Sequence, residues 1–184
     1  MTAADTATGQ VGAFRAAFAD ETAFAAWYEV VFPRVYSFLA SRCGGPGALA
    51  EELTQQTFVD AVRHRHSFDG RSDVITWLCA IGRHKLADHY RKQEREERRQ
   101  HRMTARTSEV PQDSWQASDE RDAIERAVSV LPAAQRAALL FHHLDGLSLT
   151  EVGKLLHRSP SAVQSLLARA RQNFRAAYEG QADA

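Results

Sequence analysis

Long apolar runs are missing from this chain of 184 residues. None approaches the ~20 residues needed to cross a bilayer. The opening segment, MTAADTATGQ, also lacks the basic and then apolar order of a secretory leader, so a cytoplasmic location is expected. Cysteine is scarce: Cys43 and Cys79 have no CxxC partner, which argues against a disulfide scaffold or a thiolate metal site, and both read as reduced helix residues. Only Lys85, Lys92 and Lys154 are lysines among 23 basic residues; the rest are arginines, whose fork makes bidentate contacts to phosphate and guanine, although a GC-rich genome produces the same bias. Formal net charge is zero, which excludes a uniformly cationic or acidic surface.

What the chain does contain is helical periodicity. After a tail of small and polar residues, Phe24, Trp27, Tyr28, Val31, Phe32, Val35, Tyr36 and Leu39 recur at three- and four-residue spacing. Pro33 should kink this helix or split it into two abutting ones, and Gly44 to Gly47 should end it in a turn. A second helix is expected from Ala48 to His64, with Leu49, Leu53, Val59 and Val62 inward and Glu51, Glu52, Gln55, Gln56 and Asp60 outward. His66 to Asp73 is polar and should form a loop anchored by Phe68. A third long helix should start near Val74 and carry Ile75, Trp77, Leu78, Ile81, Leu86 and Tyr90 before dissolving into RKQEREERRQHR. Few apolar residues follow until Ala123, where two helices split at Leu131-Pro132 are expected.

The zero total hides a segregated charge pattern. From Arg83 to Arg106 nine Lys or Arg face only Asp88, Glu94, Glu96 and Glu97. From Lys154 to Arg175 five basic residues meet no acid, whereas Thr107 to Glu125 holds six acids against Arg121. Phosphate neutralisation is local, so two separate basic segments suggest two DNA-contacting modules.

The segment from Asp145 to Arg175 has helix-turn-helix grammar. Leu149, Val152, Leu155 and Leu156 share one helical face, and Val163, Leu166, Leu167, Ala170 and Phe174 share another. Ser148 and Glu151 stand at capping-box spacing, and Ser159-Pro160 suits the N-cap and first position of the second helix. Such a second helix can enter a major groove, while the bland reading is a helical hairpin with a solvated arginine face.

Three blocks, in order, make this chain resemble the sigma-70 family of bacterial RNA polymerase sigma factors, in particular the two-domain extracytoplasmic-function group. AEELTQQTFVDAV, from Ala50, looks like the family's polymerase-binding helix; FDGRSDVITWLCAIGRHKLADHYRK, from Phe68, is similar to the segment that opens and reads the −10 element; and LPAAQRAALLFHHLDGLSLTEVGKLLHRSPSAVQSLLARAR matches the −35-binding domain. The resemblance implies an all-α fold of two small helical domains joined by a flexible acidic linker. Its expected boundaries are a disordered tail at 1–20, sigma domain 2 at 21–95, the linker at 96–122, sigma domain 4 with the helix-turn-helix at 123–179, and a short tail at 180–184.

It also implies roles. Glu51, Glu52, Gln55, Gln56 and Phe58 would bind core polymerase, through its beta and beta-prime subunits. Asp69, Gly70, Arg71, Ser72, Arg83, His84, Lys85, His89, Arg91 and Lys92 would serve the −10 element, the loop gripping a flipped base of the non-template strand. Arg158, Ser159, Ser161, Ala162, Gln164, Ser165, Arg169 and Arg171 would serve the −35 element. The partners implied are core polymerase, promoter DNA and an anti-sigma factor, with no enzyme activity, no cofactor and no metal. The chain departs from the family's usual pattern at Val74 and Ile75, where an aromatic and a basic residue are common, and at His84, often Asn. It departs again at Gln164 and Leu166, often basic, and at His157, where a turn glycine is frequent.

Two other classes compete. A stand-alone helix-turn-helix regulator would dimerise on half-sites, and no long heptad seam is present. A metal-dependent hydrolase would draw on the eight histidines, but His84, His89, His142 and His143 lack an i, i+4 pair with a third ligand.

Overall fold

The computed structural model describes residues 11–44, 47–103 and 120–182, all helix, turn or loop, with no strand among them. They form eight helices: α1 (residues 11–16), α2 (Glu21–Cys43), α3 (Ala48–Arg63), α4 (Val74–Met103), α5 (Glu120–Ser129), α6 (Ala133–Leu139), α7 (Leu149–Leu156) and α8 (Pro160–Ala182). Two compact units divide between Leu86 and Ala87, inside α4 rather than at residue 95. The charged stretch expected to open the linker at 96 is still helical to Met103, held by i, i+3 and i, i+4 ion pairs from Glu96 to Arg99 and from Glu94 to Arg98. Most of the rest of the expected linker lies outside the described residues.

In the N-terminal unit α2 starts at Asp20, whose Oδ1 accepts the Ala23 N–H at 2.8 Å, and stops at Gly44, which takes φ 87°. It is one helix of 23 residues with Pro33 inside it, not two. Val31, Val35 and Leu39 point into a core shared with Leu53, Phe58, Leu78 and Leu86. The buried face of α3 is rotated from the expected one: Ala50, Leu53, Thr54, Thr57, Phe58 and Ala61 are inside, and Val59 is 48% exposed. Periodicity alone missed this because two threonines are fully buried. Each donates its hydroxyl to a carbonyl one turn back, Thr54 to Ala50 at 2.6 Å and Thr57 to Leu53 at 2.7 Å, which removes the cost of burying them. Gly82 lets α4 come close here, since a Cβ on it would stand 3.2 Å from Thr57 Oγ1.

Residues 11–20 correct the expectation of a disordered tail. Phe14 is 3% exposed and packs edge-on against Phe18, Trp27, Phe68 and Trp77 at centroid distances of 5.0–5.6 Å. The first ten residues lie outside the described set.

In the C-terminal unit small residues let helices close tightly: Ala127, Ala133, Ala137, Ala138 and Ala170 are fully buried around Phe141, Val152 and Val163. Pro132 separates α5 from α6 as expected, but it offers no side-chain cap to α6. Glu97, from the end of α4, supplies one instead, accepting the Ala133 N–H at 3.2 Å with each carboxylate oxygen. A π-helical segment, Leu140–Leu144, follows α6 and ends where Gly146 takes φ 68°.

Candidate nucleic-acid interface

The helix-turn-helix is built as its sequence requires. Ser148 Oγ accepts the Glu151 N–H while the Glu151 carboxylate accepts the Ser148 N–H at 2.8 Å, a complete capping box at the start of α7. His157 ends α7 with φ 54° and ψ 49°, the left-handed conformation that a side chain makes costly. The Arg158 N–H then reaches back to the Gly153 carbonyl at 2.8 Å. Ser159 Oγ accepts the Ala162 N–H at 3.2 Å, and Pro160 takes the first position of α8.

Val163, Leu166, Leu167 and Ala170 face inward from α8, so Leu166 belongs to the core and not to a reading face. Ser161, Gln164, Ser165, Arg169 and Arg171 form its exposed strip, Ser159 stands exposed at its cap, and Ala162 is half-buried. Arg158 is engaged: it is ion-paired to Glu94 of α4, and the two side chains are 24% and 17% exposed. Arg91 Nη1 lies 2.8 and 2.9 Å from the ring nitrogens of His157 and is also paired to Asp88. The end of α4 is thus pinned to the turn between α7 and α8 by residues assigned to separate DNA-contacting sets.

The other −10 candidates divide by environment. Asp69 Oδ1 accepts the Arg71 N–H at 3.1 Å, a local turn that shapes the loop, and Phe68 beneath it is buried. Gly70 is buried with φ 72°, which favours glycine, and Ser72 is half-buried. Asp73 caps α4, accepting the N–H groups of Ile75 and Thr76 at 2.9 and 3.2 Å; its hydrogen bond from the Thr76 hydroxyl, chiefly, holds its carboxyl below the usual range. On α4, Lys85 is paired to Asp60 and Arg83 lies with its guanidinium 5.5 Å from the Phe38 ring centroid, so both are tied to the N-terminal unit. His84 and Lys92 are exposed, and the His89 ring packs 5.8 Å from Tyr90.

On α3 the five expected polymerase contacts part company. Glu51, Glu52, Gln55 and Gln56 are exposed, with Gln56 donating to Glu52 at 2.9 Å. Phe58 is 5% exposed, its ring 4.7 Å from Tyr28 and 5.8 Å from Trp27, and therefore backs the strip from inside. Sequence reading missed Val59, which continues the exposed strip by one turn, because its apolar character pointed inward. It also left out Arg15, Phe18, Arg65 and His66, which with Phe14 line a cavity of about 470 Å³. The four-residue spacing of Phe14 and Phe18 was the available signal. Among the described residues no three His, Cys, Asp or Glu side chains are grouped to hold a metal ion, and no helix is long and apolar enough to cross a membrane.

Comparison with known proteins agrees with this architecture. Residues 20–96 match the family model of sigma-70 region 2, and residues 121–174 match that of sigma-70 region 4. The chain is 30% identical over 152 residues to the extracytoplasmic-function (ECF) RNA polymerase sigma factor SigM of Bacillus subtilis, covering 82% of this chain and 92% of that protein. It is also 30% identical over 167 residues to the ECF sigma factor BldN of Streptomyces coelicolor, covering 85% of this chain but only 60% of the longer relative. Among solved structures, the sigma factor RpoE in complex with the anti-sigma factor NepR from Bartonella quintana shares the fold, with a TM-score of 0.51 at 22% identity over 85% of this chain and 96% of that one. With two helical units of the expected kinds, a capped helix-turn-helix in the second and both family regions matched in order, the chain belongs to the extracytoplasmic-function group of the sigma-70 family.

Proposed function

We propose that this chain binds core RNA polymerase, directs it to promoters with distinct −10 and −35 elements, and helps melt the first of these, acting in the cytoplasm and without catalysis of its own. The observation that carries the reading is the capped helix-turn-helix, whose second helix exposes Ser161, Gln164, Ser165, Arg169 and Arg171 with no acid among them. Gln164 can pair bidentately with adenine, while Arg158, Arg169 and Arg171 supply phosphate contacts. Arg158 must exchange Glu94 for phosphate to do so.

The exposed strip Glu51, Glu52, Gln55, Gln56 and Val59 is the polymerase-binding face, Phe58 holding it in place from below. The loop Asp69 to Ser72 holds the extruded base. Melting by capture needs no nucleotide hydrolysis, because binding an extruded base offsets an unstacking cost of a few kcal/mol. His84, His89 and Lys92 follow the displaced strand, while Arg83 and Lys85 stay with their own unit. Control by an anti-sigma factor is consistent with the RpoE relative, which was crystallised with one. A stand-alone regulator is disfavoured, because it would not need a region-2 unit.

Transcription from a genomic library with purified core polymerase tests the reading: the chain should start transcripts at defined sites. Permanganate footprinting then tests the loop. Asp69→Ala with Arg71→Ala and Ser72→Ala should leave polymerase binding intact and reduce thymine reactivity; full melting by this variant would remove the loop from the mechanism.

A further inference from the structure

The cavity beside α1 is not used by any role assigned above. It is lined by Phe14, Arg15, Phe18, Arg65 and His66 and holds about 470 Å³, within the roughly 300–1,000 Å³ of ligand pockets. The lining contains two guanidinium groups, an imidazole and two aromatic rings, and no acid. Phe14 is buried, so its ring is fixed, and Phe18 leans on it with centroids 5.1 Å apart. Arg65 lies with its guanidinium carbon 6.0 Å from the Phe18 centroid and donates to the Val62 carbonyl at 3.0 Å, which holds its head near the ring.

Position gives this chemistry a ligand. Arg65 and His66 sit on the 3₁₀ turn Arg65–Ser67, and the next residue, Phe68, anchors the loop assigned to base capture. The Phe68 ring lies 5.0 Å from Phe14, so loop and cavity share one aromatic wall. A strand leaving the loop past Phe68 meets an aromatic ring in a cavity that Arg15 and Arg65 also line, the combination of stacking and positive charge by which proteins hold unpaired nucleotides.

We propose that this cavity is a second single-stranded DNA site, taking one nucleotide adjacent to the base held by the loop, with the base against Phe18 and its phosphate between Arg15 and Arg65. The inference rests on the sigma-factor reading and extends it to residues of the α1 region and of the turn that follows α3. An aromatic and acidic peptide would suit some of the same groups; the continuity with the loop favours the nucleotide.

The test uses the full chain, alone and reconstituted with core polymerase, and a short fluorescein-labelled single strand of mixed sequence read by anisotropy. Arg15→Ala with Arg65→Ala, both on exposed positions, and separately Phe18→Leu, should each weaken single-strand binding about tenfold, the scale of one lost stacking or phosphate partner. Circular dichroism and core-polymerase binding should stay at parental values. A strand carrying 5-iodouracil should crosslink to Phe18 or its neighbours. If these variants bind the strand like the parent while the Asp69, Arg71 and Ser72 variant loses it, the cavity proposal is overturned and the loop assignment survives. If they keep the strand and lose polymerase, the occupant is a peptide and the proposal is likewise overturned. If the parent itself binds no single strand in the reconstituted complex, the proposal fails together with base capture, and duplex binding by the helix-turn-helix is unaffected by that result.

Discussion

A Cβ placed on Gly153 would stand 2.6 Å from the backbone carbonyl oxygen of Arg158. The chain folds back over α7 at this point, and the Arg158 N–H is bonded to the Gly153 carbonyl, so neither backbone can withdraw without breaking the turn. The glycine that makes the helix-turn-helix possible therefore lies inside its first helix.

Gly153→Ala should destabilise the C-terminal unit by about 1–3 kcal/mol, the usual cost of forced overpacking, despite alanine's better helix propensity. Thermal denaturation followed by circular dichroism checks it. An unchanged or raised melting temperature would show that the turn relaxes.

His157→Gly should act in the opposite direction, stabilising the unit by up to about 1 kcal/mol, because it relieves a left-handed backbone that costs roughly 1–2 kcal/mol while adding unfolded-state entropy. The gain is reduced by loss of the Arg91 contact to the imidazole. Chemical denaturation of the two proteins side by side measures the difference.

Glu52→Lys with Gln55→Ala should weaken core-polymerase binding while leaving helicity unchanged, since both side chains are exposed and neither fills the core. Charge reversal on a protein-binding face typically costs at least about 1 kcal/mol, a fivefold loss or more. Parental affinity in a competition assay would move the polymerase anchor elsewhere.

Glu94→Gln should raise binding to duplex DNA several-fold at low salt. It removes the carboxylate that occupies Arg158, an interaction on the order of 1 kcal/mol for partly exposed partners. Anisotropy titration of a labelled duplex gives the comparison; a fall in affinity would mean that Glu94 organises Arg158 for DNA and does not compete for it.

Cys43 should be a poor redox sensor. Burial is the main cause that pushes its thiol up to about 11, against an opposing pull from Arg42. At pH 8 only about a thousandth of it is thiolate, the form that reacts. In a Cys79→Ser background, iodoacetamide should label it at least tenfold more slowly than a free cysteine at pH 8, with the rate rising as pH approaches 11. Rapid labelling at pH 8 would contradict this.

The helix-turn-helix was legible in the sequence because its signals are local. A capping box spans four residues, Ser159-Pro160 is adjacent, and the inward faces of α7 and α8 repeat at helical spacing, so neighbours along the chain carry the information. The all-helical class, the anchoring role of Phe68 and the strip Glu51, Glu52, Gln55 and Gln56 were likewise readable from period and polarity.

Tertiary structure decided what depends on distant partners. Thr54 and Thr57 are buried, each hydroxyl spent on a carbonyl one turn back, and Gly82 of α4 comes close to Thr57, while Val59 is left exposed. Residues 11–20 look like a solvated tail until Phe68 and Trp77, far along the chain, offer Phe14 a place to pack. Glu94 and Glu97 read as charge balance within a basic stretch, yet one engages Arg158 and the other caps α6. Local sequence determines which segments become helices and where they stop, through backbone hydrogen bonding and polarity. Which faces are covered, and which charges are already spent on one another, follows from packing and Coulomb interactions between residues that the chain brings together only on folding.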